Sequence, residues 1–183
     1  VTLSTTLHAT ADKLDFSKIR IAPADVKDSG TLIEGTASLQ LGEVTNAEVM
    51  LKAPRINLDT LLGAETLSTW RDGGALALAH TVLKLIPENV SGRFGFDATV
   101  LTSGGVSIEN VEILSSLTPD GIHIERALMG LPGRSKALLT DAMILRRDGG
   151  AELAGPIAFE TQDARAFAMW AFAQQKTRID QWW

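Results

Sequence analysis

Residues able to do chemistry are few in this chain, and none of them forms a working set. His8, His80 and His123 stand far apart, each without a second ligand at metal-site spacing. Asp12/Asp15 and Glu109/Glu112 are the acid pairs that proton transfer would draw on, but they fall in or beside polar strand faces and loops with no pocket around them. Solvated charge is the expected reading. Ser29 lies in the turn Asp28-Ser29-Gly30, and no G-x-S-x-G elbow accompanies a Ser/His/Asp arrangement. Gly130-Leu131-Pro132-Gly133-Arg134-Ser135-Lys136 has the outline of a phosphate loop without its Gly-Lys-Ser/Thr ending. The residues after it alternate as a strand, so no helix N-terminus would face a phosphate. The expectation is a non-enzymatic protein with no cofactor and no metal.

The elements that would position any site are mostly strands. Alternation with period two puts every second residue on one side, and Ile33, Gly35, Ala37, Leu39 and Leu41 against Glu34, Thr36, Ser38 and Gln40 show it best. The pattern recurs in Leu3/Leu7/Ala9, Ala47/Val49/Leu51, Phe94/Phe96/Ala98/Val100, Ile122/Ile124/Leu128 and Leu153/Ile157/Phe159. It slips by one residue from Leu14/Phe16 to Ile19/Ile21 and from Val106/Ile108 to Val111/Ile113, as a β-bulge causes. About nine strands result, joined by turn residues such as Gly42-Glu43, Pro119-Asp120-Gly121 and Pro132-Gly133. Such short links connect antiparallel neighbours, so the second half reads as an up-and-down meander with no room for a helix from Ser91 to Thr161.

Two segments change period. Ala75, Leu78, Ala79, Val82 and Ile86 fall at helical spacing before Pro87. The other follows Asp163, an N-cap residue, and runs from Ala164 to Gln175 through Phe167-Ala168-Met169-Trp170-Ala171-Phe172. That helix is apolar almost all round and must be buried or lie against lipid. A shorter helical turn begins at Asp59 and includes Leu61 and Leu62.

The 183 residues carry a net charge of −5, which argues against polyanion binding by counterion release and so against nucleic acid. There is no cysteine, hence no disulfide framework. No stretch reaches the roughly 18 consecutive apolar residues of a membrane span. Residues 1–183 read as a single domain. A compact globule of its 19.6 kDa exposes roughly 8,600 Å².

Nine strands at about 4.8 Å spacing make a sheet with about 1,500 Å² on each side, of which two short helices cover roughly 360 Å². The remainder is covered by folding the sheet on itself as a β-sandwich or barrel, by a partner chain, or by apolar ligand in a trough. Spacing alone favours the sandwich, the commonest fate of such a chain.

Gly92-Arg93-Phe94-Gly95-Phe96-Asp97-Ala98, Leu131-Pro132-Gly133-Arg134-Ser135 and Gly155-Pro156-Ile157-Ala158-Phe159 running into Asp163-Ala164-Arg165-Ala166-Phe167 and Trp170 together carry a family resemblance. They resemble the C-terminal region of the AsmA family of bacterial envelope proteins. Arg55-Ile56-Asn57-Leu58-Asp59-Thr60-Leu61-Leu62-Gly63 is similar to that family's strand-to-Leu-Asp segment. The match runs from Thr31 to Gln175 and consists of packing and turn motifs, none of them catalytic. It implies a long, strongly curved antiparallel meander forming a groove, in a periplasmic protein held in the inner membrane of a Gram-negative bacterium by an N-terminal helix. This chain lacks that anchor, so it is expected to be a soluble fragment of a longer protein. The implied role is phospholipid transport between inner and outer membrane, with acyl chains as ligand and envelope proteins as further partners. The alternative is a scaffold that assists outer-membrane protein assembly. The expected lipid-contact residues are Phe94, Phe96, Val100, Ile122, Ile124, Leu128, Leu153, Ile157 and Phe159.

Overall fold

Alternating residues and turn residues at the strand ends produce a single sheet of ten strands in a computed structural model that describes residues 1–23, 31–61, 83, 89–103, 106–118, 120–147 and 150–173. The first four are β1 (Thr2–Ala9), β2 (Lys13–Ala22), β3 (Ile33–Gln40) and β4 (Thr45–Asn57). After α1 (Leu58–Leu61) come β5 (Val90–Ser103), β6 (Val106–Thr118), β7 (Gly121–Leu131), β8 (Ser135–Arg147), β9 (Gly150–Ala154) and β10 (Ile157–Glu160), then α2 (Ala164–Ala173). Neighbours in the sheet follow chain order from β1 to β8, with β9 and β10 both on the free side of β8. The sheet is mostly an antiparallel meander and is not closed. The two-sheet sandwich does not form, because all ten strands pair edge to edge in one layer.

One junction departs from the meander. β4 and β5 run parallel, Thr45 beside Val90 through Asn57 beside Thr102. A parallel neighbour needs a long connection, which residues 58–89 supply. The helix expected over Ala75 to Ile86 lies outside the described residues apart from Leu83, which is helical and buried. α1 and α2 stand where the sequence places helices.

Both expected bulges are present. Lys18 adopts φ 54° in β2 and Asn110 φ 50° in β6, each at a register shift. Two further irregularities were not legible. Glu125 is an extra residue in β7, since Leu114 pairs with Arg126 but Ser115 pairs with Ile124. Asp141 takes φ 52° in β8, opposite the break between β9 and β10. There the edge strand advances three residues, Ala154 to Ile157, while β8 advances four, Met143 to Leu139. Bulges bend and twist a sheet, and these lie on strands from both halves.

α2 is tied to the turn between β7 and β8. The Asp163 N–H donates to the Gly133 carbonyl at 2.9 Å, and the Asp163 carboxylate accepts from the Ala166 N–H at 2.9 Å as an N-cap. Phe167 then packs on Phe159 of β10 with ring centroids 4.6 Å apart. Gly133 has φ 77°, and a side chain there would meet the Asp163 carbonyl oxygen and the Phe167 nitrogen, both backbone atoms. Gly133→Ala is therefore expected to lower stability by about 1–3 kcal/mol in urea denaturation. Amide exchange should rise first in α2, and protection of α2 equal to that of the parent chain would contradict the anchoring role.

Candidate functional site

Register partners in adjacent strands share a side of the sheet, so the pairing traces each side residue by residue. One row runs Ile19–Gly35–Leu51–Phe96–Ile113–Ala127–Leu139–Ile157 through eight strands. A second runs Leu7–Phe16–Ala37–Val49–Phe94–Ser115–Ile124–Ala142, again through eight. Apart from Ser115, whose Oγ donates to the Phe94 carbonyl at 3.4 Å, both rows lack side-chain polar groups.

Parts of this apolar side are covered. Ile33, Ala53, Ile56, Ala98 and Val111 form one buried cluster, against which Leu58 and Leu61 of α1 pack. Ile124, Ala127, Leu139 and Ala142 form a second, flanked by Ile122, Ile144 and Leu153. Towards both sheet edges, and at one point near the middle, the cover fails. Leu3 is 64% exposed, Leu7 54%, Phe94 39%, Ile157 57% and Phe159 43%.

Seven of the nine expected contact residues stand on this side. Phe94 and Phe96 lie with rings nearly parallel, centroids 6.4 Å apart. Ile122, Ile124 and Leu153 belong to or flank the second cluster, and Ile157 and Phe159 are exposed on β10. Val100 and Leu128 are not with them. Adjacent residues of a strand point to opposite sides, and it is Leu101 that joins the first cluster and Ala127 the second. Val100 pairs with Glu109, and Leu128 with Glu112. The causes lie at three positions: the β4–β5 register skips Pro54 and Thr99, Asn110 bulges in the next strand, and Glu125 re-phases β7. The slip read in β6 already held the signal for Leu101, because a shift in one strand re-phases its partner. Nothing comparable marked Glu125.

The other side is charged. A row runs Arg20–Glu34–Lys52–Asp97–Glu112 across five strands, and Arg20 Nε donates to Glu34 at 3.0 Å. Arg93 reaches across β6 to Glu125 with two hydrogen bonds of 3.3 and 2.8 Å. These bonds hold the Glu125 carboxyl below its usual range and raise the Arg93 guanidinium. His123 Nε2 lies 2.7 Å from an Asp141 carboxylate oxygen, so the two bulge residues Glu125 and Asp141 each have a partner on this side.

The catalytic-looking residues of the sequence are dispersed. Asp12 caps the β1–β2 turn, where bonds from the Thr10 hydroxyl, its own backbone and Gln40 lower its pKa. Asp15 pairs with Lys13, and Glu112 lies 3.6 Å from Arg126. Residues 132–134 form a plain turn, with the Ser135 hydroxyl donating to Pro132. Among the described residues no group of three His, Asp or Glu side chains could hold a metal ion, and no helix is long and apolar enough to cross a membrane.

Comparison with family models, curated proteins and solved structures finds no match for this chain.

One electrostatic expectation follows for the charged side. A depressed carboxyl pKa contributes stability above the ordinary glutamate value of 4.5 and loses it as pH falls through the folded-state value. Glu125→Gln should thus lower the urea midpoint slightly at pH 7, and the difference should shrink to nothing in strong acid. A gap that widens on acidification would contradict the Arg93–Glu125 assignment.

Proposed function

We propose that this chain is a non-enzymatic lipid-shielding module whose apolar sheet side holds phospholipid acyl chains out of water. The observation that carries the reading is the pair of apolar rows crossing eight strands with Leu3, Leu7, Phe94, Ile157 and Phe159 still exposed. Exposed apolar patches of several residues on a protein mark binding sites. Burial contributes about 0.8 kcal/mol per CH₂, so a chain of more than about ten carbons is held without a charged recognition site. Aliphatic and aromatic residues with no fixed polar partner suit a ligand that slides, since no directional bond has to break at each step.

The resemblance of Gly92–Ala98, Leu131–Ser135 and Gly155–Trp170 to the AsmA family extends this reading to a setting. It supports a periplasmic piece of an inner-membrane-anchored protein in a Gram-negative envelope, carrying phospholipid between the two membranes.

Organic extraction of the purified chain followed by mass spectrometry tests the proposal, with recovered phospholipid as the expected result. Phe94→Asp combined with Ile157→Asp targets exposed positions, so strand content by circular dichroism should stay at the parent level while lipid recovery falls to background. Ile124→Asp, in contrast, buries an unpaired carboxylate and should cost about 3 kcal/mol or more. Lipid-free parent protein, or undiminished recovery from the Phe94/Ile157 variant, would sink the reading.

A further inference from the structure

The charged side of the sheet holds a cleft of about 770 Å³ over β1, β2, β3 and β4. Its cause lies in the backbone. Lys18, at φ 54°, is the bulge residue of β2, and both ladders of that strand break at its level. Towards β3, Ser17 and Lys18 together stand against Thr36, between the pairs Phe16/Ala37 and Ile19/Gly35. Towards β1, Thr5 stands against Lys18 and Ile19, between the pairs Ser4/Arg20 and Thr6/Ser17. The Thr5 hydroxyl donates to the Ser17 carbonyl at 3.1 Å across that break. A bulge bends its strand and re-aims the side chains beside it. Here it brings Lys18 and Arg20 of β2 to a cleft that Lys52 of β4 also lines.

Charge in the cleft is not balanced. Elsewhere on this side cations sit beside carboxylates: Lys13 with Asp15, Arg93 with Glu125, Arg126 with Glu112. In the cleft Lys18, Arg20 and Lys52 share Glu34 alone, an excess of two positive charges in a chain whose net charge is −5. Glu34 accepts from Arg20 Nε at 3.0 Å, which leaves both terminal amino groups of that guanidinium uncommitted. Neither Lys18 nor Lys52 has an ion-pair partner among the described residues, although Asp97 is the register neighbour of Lys52 on β5. A cleft focuses the field of the charges that line it, and this one draws in anions.

We infer that this cleft binds the phosphate group of a small, hydroxyl-bearing phosphate ester. The outer edge of the Arg20 guanidinium offers paired N–H donors that match two phosphate oxygens, and the lysines add point charges. Ser4, Thr6 and Thr36 line the same space with hydroxyls that can donate to the phosphate or accept from the alcohol groups of the ester. The volume falls in the range of small-molecule sites, roughly 300–1,000 Å³, and so has room for more than the phosphate alone. An extended polyanion does not fit the surroundings. Glu48, Asp97 and Glu112 occupy the same side on β4, β5 and β6 and would repel it.

Isothermal titration of the purified chain with glycerol phosphate at low salt is expected to give a dissociation constant of about 1 mM or below, with binding weakened as salt is added. Lys18→Gly removes a cation and suits the positive φ, and Lys52→Gln removes another at an exposed position, so strand content by circular dichroism should stay at the parent level. The double variant should bind about ten-fold more weakly or worse. Glu34→Gln removes the competing carboxylate and should tighten binding, a gain that a purely structural role for the cleft residues would not produce. Flotation with vesicles of phosphatidic acid in phosphatidylcholine separates the two sources of such an ester. Flotation that the double variant loses assigns the cleft to a lipid headgroup. Binding of glycerol phosphate with flotation absent, or the same in both proteins, assigns it to a free ester. A parent chain that shows neither glycerol phosphate binding nor variant-sensitive flotation overturns the inference, as does a double variant that binds glycerol phosphate as tightly as the parent. The cleft and the apolar rows lie on opposite sides of the sheet, so failure here and failure of phospholipid recovery are separate results.

Discussion

A ten-stranded open sheet has two sides, and water can satisfy only one of them. Here the charged row Arg20–Glu34–Lys52–Asp97–Glu112 assigns one side to solvent, and the row through Leu51, Phe96 and Ile113 assigns the other to burial. Individual surface ion pairs add little stability. Their effect is to make the opposite orientation of any strand costly, because a one-residue slip would move charge into the apolar rows. Everything else in the molecule follows from where cover for the apolar side runs out. α1 packs on the first cluster and α2 reaches Phe159 through Phe167, yet the β1 end and Ile157 of β10 stay open.

Keeping ten strands in phase over this width requires local corrections. Strands of 13 and 14 residues accumulate twist, and an ideal ladder cannot absorb it across β4, β5 and β6. The corrections are single residues: Lys18, Asn110 and Asp141 in the left-handed region, Glu125 as an inserted residue, and Pro54 where the β4–β5 register skips a pair. Asn and Asp tolerate that conformation better than most side chains. The partners Arg93 for Glu125 and His123 for Asp141 hold two of these sites from the polar side. At Glu125 and Asp141, register irregularity and polar pairing thus coincide: each carboxylate meets its partner on the side facing water.

Legibility in the sequence varied with the range of the interaction. Alternation revealed the strands except for the break between β9 and β10, and the two bulges that disturb a strand's own hydrophobic phase, while glycine and proline marked the turns from β5 to β9. Phe94, Phe96, Ile122 and Ile124 could be grouped because each continues an unbroken local pattern, and Leu153, Ile157 and Phe159 because the break between β9 and β10 returns the apolar residues to the same side. Val100 and Leu128 could not be placed, since the residues that displaced them act across the sheet. Pro54 and Asn110 lie on the two strands flanking Val100, while Glu125 inserts three residues before Leu128 without leaving any apolar mark.

The residue order by itself determined that the chain is a β meander with one strongly apolar side, because period two is a property of each strand alone. It also determined the helix after Asp163, whose cap and apolar block are contiguous. Whether the sheet closes on itself was decided only by tertiary structure. Closure depends on twist summed over ten strands, on the parallel step between β4 and β5, and on which edges remain unpaired, and none of these is a local quantity. The same alternating sequence is compatible with a dry sandwich and with an open sheet, and the difference lies in how far apart β1 and β10 end.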